Sequence, residues 1–173
     1  MTDLVLPDPS LVVLIAPAGA GKTTFAARHF LPTEILSSDA FRARIAGNEA
    51  DQRATRAAFR QLHRALERRL ARQRLTVVDA TNVERAARQA LLALASSAGI
   101  PAVAIVLDLA PATVIARNAG RTNRVLDEAV VRRHLARLRA SLDGPGGPLD
   151  GEGFERVFVL RDPLEIDATT IVR

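Results

Sequence analysis

The chain has 173 residues, 48% of them hydrophobic and 25% charged, which suits one globular domain with its own core and leaves too little length for two. It has no cysteine, so disulfides and thiolate metal sites are excluded, and its N-terminal MTDLVLPDPS has neither the basic region nor the apolar run of a secretion signal; a cytoplasmic protein with no membrane partner is expected. The net charge of +5 admits a polyanionic partner or an ordinary arginine-rich surface, and an aromatic share of 3%, all of it Phe, argues against extensive base stacking.

Aliphatic runs alternate with helical patterns along the chain. The first run, LVVLI at 11–15, leads into APAGAGKTT at 16–24. Small residues at Ala18, Gly19, Ala20 and Gly21 let backbone N–H groups close around phosphate oxygens, and a helix starting near Lys22 aims its positive dipole end at them. The spacing is that of G-x-x-x-x-G-K-[ST], with Ala16 in place of the first glycine. A methyl there is tolerable at negative φ and strained in a left-handed turn. Lys22 is then placed for the β and γ phosphates of a nucleotide and the Thr23 hydroxyl for Mg²⁺, with Thr24 closing the candidate set. Of 24 basic residues Lys22 is the one lysine. A compact ammonium suits closely held phosphates where a planar guanidinium does not. The competing reading is a Gly/Ala turn with a stray lysine.

The second run, EIL at 34–36, is followed by Asp39 in ILSSD, either a general base or the N-cap of a helix starting at Ala40. Asp51 and Gln52 read as surface. In AFRQLHRALERRLARQR at 58–74, Phe59, Leu62, Leu66 and Leu70 recur at spacings of three and four. The arginines opposite are a solvated face or a nucleic-acid contact. LTVVD at 75–79 ends on Asp79, which is either a Mg²⁺-water partner or a cap. VAIVLDL at 103–109 precedes ARNAGRTNR at 116–124, which supplies Arg117, Arg121 and Arg124. Four apart, Arg117 and Arg121 are expected one helical turn from each other. GPGGP at 144–148 reads as a loop, and RVFVL at 156–160 as the last strand before a tail. His29, His63 and His134 have no metal-ligand spacing and read as structural.

Near-continuous apolar runs suit strands buried on both faces, so the expected fold is α/β: a five-stranded parallel sheet flanked by helices. Ligands of such sheets bind beyond the strand carboxyl ends, where Lys22, Asp39, Asp79 and the arginine group would all converge. The residues also sort the chemistry. Asp79 is followed by Ala80, not by a second carboxylate, which disfavours ATP hydrolysis as the main task, and N-K-x-D guanine reading is impossible without another lysine. A kinase needs a carboxylate at the acceptor hydroxyl and cations over the phosphoryl group, and both are present.

FLPTEILSSDAFR, DQRATRAAF, LTVVDATNVERAAR and ARNAGRTNRVLDEAVVRRH, in this order behind the phosphate loop, resemble the kinase module of bacterial polynucleotide kinase-phosphatases. The resemblance runs from about Ser10 to the last strand. It implies one P-loop kinase domain over 1–173 with an arginine-bearing helical lid at about 112–140. It also implies ATP or another NTP as donor, Mg²⁺, and 5′-OH ends of RNA or DNA as acceptor, in nucleic-acid repair. Carried over by position, Lys22 and Thr23 are the P-loop lysine and hydroxyl, Asp39 the general base and Arg42 the arginine that holds the base. Arg117 and Arg121 are the lid clamp, with Arg124 a further candidate. Family members often continue into metallophosphatase and ligase-like domains, so this chain is a stand-alone kinase or a module; a homo-oligomer and RNA-repair partners both stay open. The alternatives are a small-molecule kinase of the same fold, including a toxin-like sugar-nucleotide kinase, and a nucleotide-dependent binding module without transfer activity.

Overall fold

Strands whose residues are apolar on both faces need cover on both faces, and helical crossovers provide it. The computed structural model describes residues 2–46, 55–122, 124–143 and 147–173. In chain order its elements are β1 (Thr2–Val5), β2 (Leu11–Ile15), α1 (Lys22–His29), β3 (Ile35–Ser37), α2 (Ser38–Ala46), α3 (Thr55–Leu70), β4 (Thr76–Asp79) and α4 (Arg85–Ser97). These are followed by β5 (Ala102–Leu107), α5 (Pro111–Ala119), α6 (Glu128–Leu142), α7 (Gly147–Asp150), β6 (Arg156–Leu160), α8 (Pro163–Asp167) and β7 (Thr169–Val172).

The main sheet is parallel with strand order β3-β4-β2-β5-β6, as the apolar runs predict. Its central strand β2 is buried at all five positions, with Leu11 in register with Thr76 on one side and Ala102 on the other. Alternate residues feed two cores, as the pleat requires. Leu11, Val13 and Ile15 join Leu62, Leu66 and Leu70 of α3 and Leu91 of α4. Val12 and Leu14 join Phe25 of α1, Val114 of α5 and Val131 of α6. On α3 the buried stripe is Ala58, Leu62, Leu66 and Leu70; Phe59 is half-buried at its edge.

One more sheet exists than the pattern indicates. β1, near the N-terminus, pairs in parallel with β7, in the tail that follows β6. Both strands are short and carry polar residues on an exposed face, so neither has the continuous apolar signature of a central strand. The pair nonetheless seats Leu4 in the second core, and Leu6 follows it there. Arg173 adds a two-point grip on Glu34, both contacts at 2.8 Å, so the chain end is tied to the turn before β3. Of GPGGP, which reads as a loop, Gly147 and Pro148 belong to α7. Gly144–Gly146, Asp51 and Gln52 lie outside the described residues.

Arg88 of α4 is fully buried, and its charge is answered completely. It donates twice to Glu152, at 2.7 and 2.6 Å, and also to the Asn82 carbonyl and Ser141 Oγ. That group ties α4 and α6 to the turn after β4, whose Thr81 carbonyl accepts the N–H of Ala16 at 3.0 Å and whose Asn82 amide donates to the Leu14 carbonyl at 2.8 Å. The start of the phosphate loop is thereby fixed to the end of β4.

Candidate functional site

The turn between β2 and α1 brings backbone N–H groups together at the helix start. Gly19 and Gly21 have φ of +90° and +95°, a region that side chains with a Cβ rarely enter. A methyl on Gly19 would stand 2.6 Å from the Val114 carbonyl oxygen, so the loop rests directly on α5. Among the described residues the only non-glycine positions with positive φ are Gln73 and Asn82. Ala16 is therefore free of the strain that a left-handed turn would impose, and the loop positions that require glycine are 19 and 21.

Lys22 opens α1 and is buried, its Nζ donating to the carbonyls of Ala16 at 2.9 Å and Pro17 at 2.8 Å. Burial pushes its pKa down to about 8, and Arg121 and Arg124 push the same way while Asp79 opposes them. Thr23 Oγ1 donates to Asp79 Oδ2 at 2.8 Å. The capping alternative for Asp79 does not hold: α4 starts at Arg85 behind Glu84, and the Asp79 carboxylate faces the loop.

Asp39 is not a cap either. α2 begins one residue earlier, at Ser38, and the Ala40 N–H is directed at Ser37 Oγ at 3.4 Å. The Asp39 carboxylate instead forms ion pairs through Oδ1 with Arg42, one turn on in α2, and with Arg124 Nη1 at 2.7 Å. Arg42 and Arg124 are both largely buried, and Asp39 is about 30% exposed at the cavity wall. Arg124, read as a member of the donor clamp, thus spends a guanidinium nitrogen on the acceptor-side carboxylate.

Arg117 and Arg121 both line the same cavity of about 580 Å³ as Lys22, Thr23, Asp39 and Asp79. They are not one turn apart on a helix: α5 ends at Ala119, with Gly120 as its cap, and Arg121 sits in the segment beyond. Arg117 lies beside the loop, its Nη1 3.9 Å from where a methyl on Gly21 would be. The segment carrying Arg121 and Arg124 is held by Asn118. That buried amide donates to the Leu126 carbonyl at 2.8 Å and accepts the Leu126 N–H at 3.2 Å. Sequence reasoning passed over Asn118; its signal was a polar residue on the inward face of an otherwise apolar helical turn.

Two further groups were missed. α8 brings Ile166 and Asp167 to the cavity, with Asp167 paired to Arg28 of α1 at 2.6 Å. His134, read as structural, also lines it; burial, Lys22, Arg133 and Arg124 push its pKa down to about 4, so the ring is neutral. Among the described residues no three His, Cys, Asp or Glu side chains come together as a metal cluster. None of their helices is long and apolar enough to cross a membrane.

A family model described as an AAA domain matches residues 11–145. No curated protein matches the chain in sequence. Among solved structures, a chain of the Pnkp1/Rnl/Hen1 RNA repair complex superposes with a TM-score of 0.65 at 20% identity, over 78% of this chain and 45% of that one. This chain therefore spans under half the length of that relative. A sugar kinase from Janibacter gives 0.59 at 22% identity, over 92% of this chain and 91% of that one. Shikimate kinase from Acinetobacter baumannii gives 0.56 at 19%, over 92% and 88%. At such identities the likeness speaks for the fold, which is that of P-loop kinases.

Proposed function

The chain belongs to the AAA domain family, and from that premise we propose that it is a cytoplasmic phosphotransferase that moves the γ-phosphoryl group of ATP to the 5′-hydroxyl of an RNA or DNA end. The loop fits a nucleoside triphosphate: two glycines occupy the left-handed region, a helix begins there, and a buried ammonium has only backbone carbonyls to hold. Ala18 to Thr24 would hold the donor's phosphates. Lys22, Arg117 and Arg121 would cover their charge, and the Thr23 hydroxyl with Asp79 behind it would receive Mg²⁺. Bound Mg·ATP supplies the electrophilic phosphoryl group.

The observation that carries the reading is Asp39, a carboxylate at the crevice wall steadied on one oxygen by Arg42 and Arg124. It orients the acceptor hydroxyl with its other oxygen and takes the proton late in a loose transition state. Around the cavity six cations, Lys22, Arg28, Arg42, Arg117, Arg121 and Arg124, stand against Asp39, Asp79 and Asp167. That excess suits an acceptor that brings phosphates of its own.

A second reading has support in the fold, which a sugar kinase and a shikimate kinase share with the RNA-repair chain. A small alcohol, a sugar-nucleotide included, would then be the acceptor. The deciding experiment is single-turnover transfer from labelled ATP to a 5′-OH oligonucleotide and to a panel of sugars, with wild type and Asp39→Asn. The oligonucleotide is expected to be the better acceptor. Asp39→Asn is expected to lose transfer by about a hundredfold or more with nucleotide affinity kept. Unimpaired transfer in that variant would refute the base assignment, and faster transfer to a sugar would replace the polynucleotide.

A further inference from the structure

Helix α3 carries five arginines and one carboxylate, Glu67, in its 16 residues. Arg69 turns inward, its Nε donating to Thr76 Oγ1 at 3.0 Å. The other four, Arg56, Arg60, Arg64 and Arg68, recur at every fourth position and are all exposed. At a rise of about 1.5 Å per residue they form a stripe about 18 Å long. Like charges at this spacing weaken a helix. Elsewhere the chain supplies counter-charges: on α6, Arg132 pairs with Glu128, Arg137 with Glu84 and Arg139 with Asp108. On α3, among the described residues, none of the four has a carboxylate partner. A composition merely rich in arginine would treat the two helices alike.

The stripe starts at the crevice. Thr55 and Phe59, the chain neighbours of Arg56 and Arg60, line the cavity that contains Asp39. Arg44 extends the positive surface onto the adjoining α2, exposed and 5.4 Å above the Phe41 ring.

We infer that Arg56, Arg60, Arg64 and Arg68 form a track for the sugar–phosphate backbone of the acceptor strand, leading away from the 5′ end seated at Asp39. This rests on the polynucleotide reading of the site. The track contacts phosphates and not base edges, so it grips length and ignores sequence. It serves RNA and DNA alike.

The test compares wild type with the Arg56→Ala, Arg60→Ala, Arg64→Ala triple variant on two acceptors, a 5′-OH dinucleotide too short to reach the stripe and a long 5′-OH oligonucleotide. The variant is expected to raise the acceptor KM of the long oligonucleotide by about tenfold or more and to leave the dinucleotide's kcat and KM unchanged. Fluorescence anisotropy of the labelled long strand is expected to show a salt dependence shallower by about 2 in log–log slope, from roughly 0.7 per lost contact. The corresponding triple lysine variant is expected to bind nearly as wild type, since charge and not fork geometry is at work. Equal KM and equal salt slope in wild type and the alanine variant would overturn the track while transfer to the oligonucleotide kept the kinase reading. If wild type transferred to neither acceptor yet bound the long strand more tightly than the variant, the kinase reading would fail and the track would stand. A wild type that did not bind the long strand would overturn the track.

Discussion

Raising the pH from about 7 to about 9.5 is expected to weaken nucleotide binding roughly thirtyfold, because Lys22 loses its charge within that window. Burial, with repulsion from Arg121 and Arg124 added, brings its pKa down to about 8 from the ordinary 10.5. One and a half units above that value only about 3% of the free protein carries the ammonium, and the polyphosphate must restore it by drawing about one proton from solution. Few other groups confuse the measurement. The chain has no cysteine, no tyrosine and no second lysine, and His134 is already neutral. The α-amino group titrates nearby, and N-acetylated protein controls for it. Calorimetric titration with ATP, without magnesium and in two buffers of different ionisation enthalpy, reads affinity and proton uptake together. The stability of the nucleotide-free protein moves the opposite way. Between about pH 8 and 10.5 the unfolded chain holds the Lys22 proton and the folded chain does not, so folding gains with rising pH, by at most about 3 kcal/mol. An affinity that stayed flat across the range, with no proton taken up, would refute the account of a buried lysine of lowered pKa answering to phosphate.

Gly19→Ala is expected to lose both stability and donor affinity. The left-handed φ costs about 1–2 kcal/mol for alanine, and the 2.6 Å approach to the Val114 carbonyl forces α5 to move. Thermal melting and nucleotide titration check it, and wild-type values in both would contradict the close loop–helix packing. Asn118→Ala is expected to free the segment bearing Arg121 and Arg124 by removing both hydrogen bonds to Leu126. Turnover should fall at saturating substrate, with a melting temperature lowered by only a few degrees for about 1–2 kcal/mol. Unchanged turnover would leave Asn118 with a packing role alone.

Much of this molecule is local, and local features are legible in a string of residues. LVVLI can be a strand only if both faces are covered, which already implies crossover helices and a parallel sheet. The spacing of Gly21, Lys22 and Thr23 behind that strand places a phosphate loop at a helix start, and it does so wherever the rest of the chain goes. The caps were less secure. Asp39 and Asp79 each suit a helix start, and side-chain chemistry alone does not separate a cap from a carboxylate aimed at a crevice.

What only the tertiary structure decided lies in contacts between residues far apart in the chain. Arg124 meets Asp39 across 85 positions, and Thr23 meets Asp79 across 56. Thr170 reaches Asp3 across 167 in a sheet that neither short strand announces. That Gly19 and not residue 16 must lack a side chain follows from the Val114 carbonyl pressed against it, and the low pKa of Lys22 follows from the burial that the same packing produces. Periodicity and spacing register the backbone geometry of a few consecutive residues. Desolvation and ion pairing depend on which helices come to rest against which strands, a matter settled by burying both faces of the sheet at once.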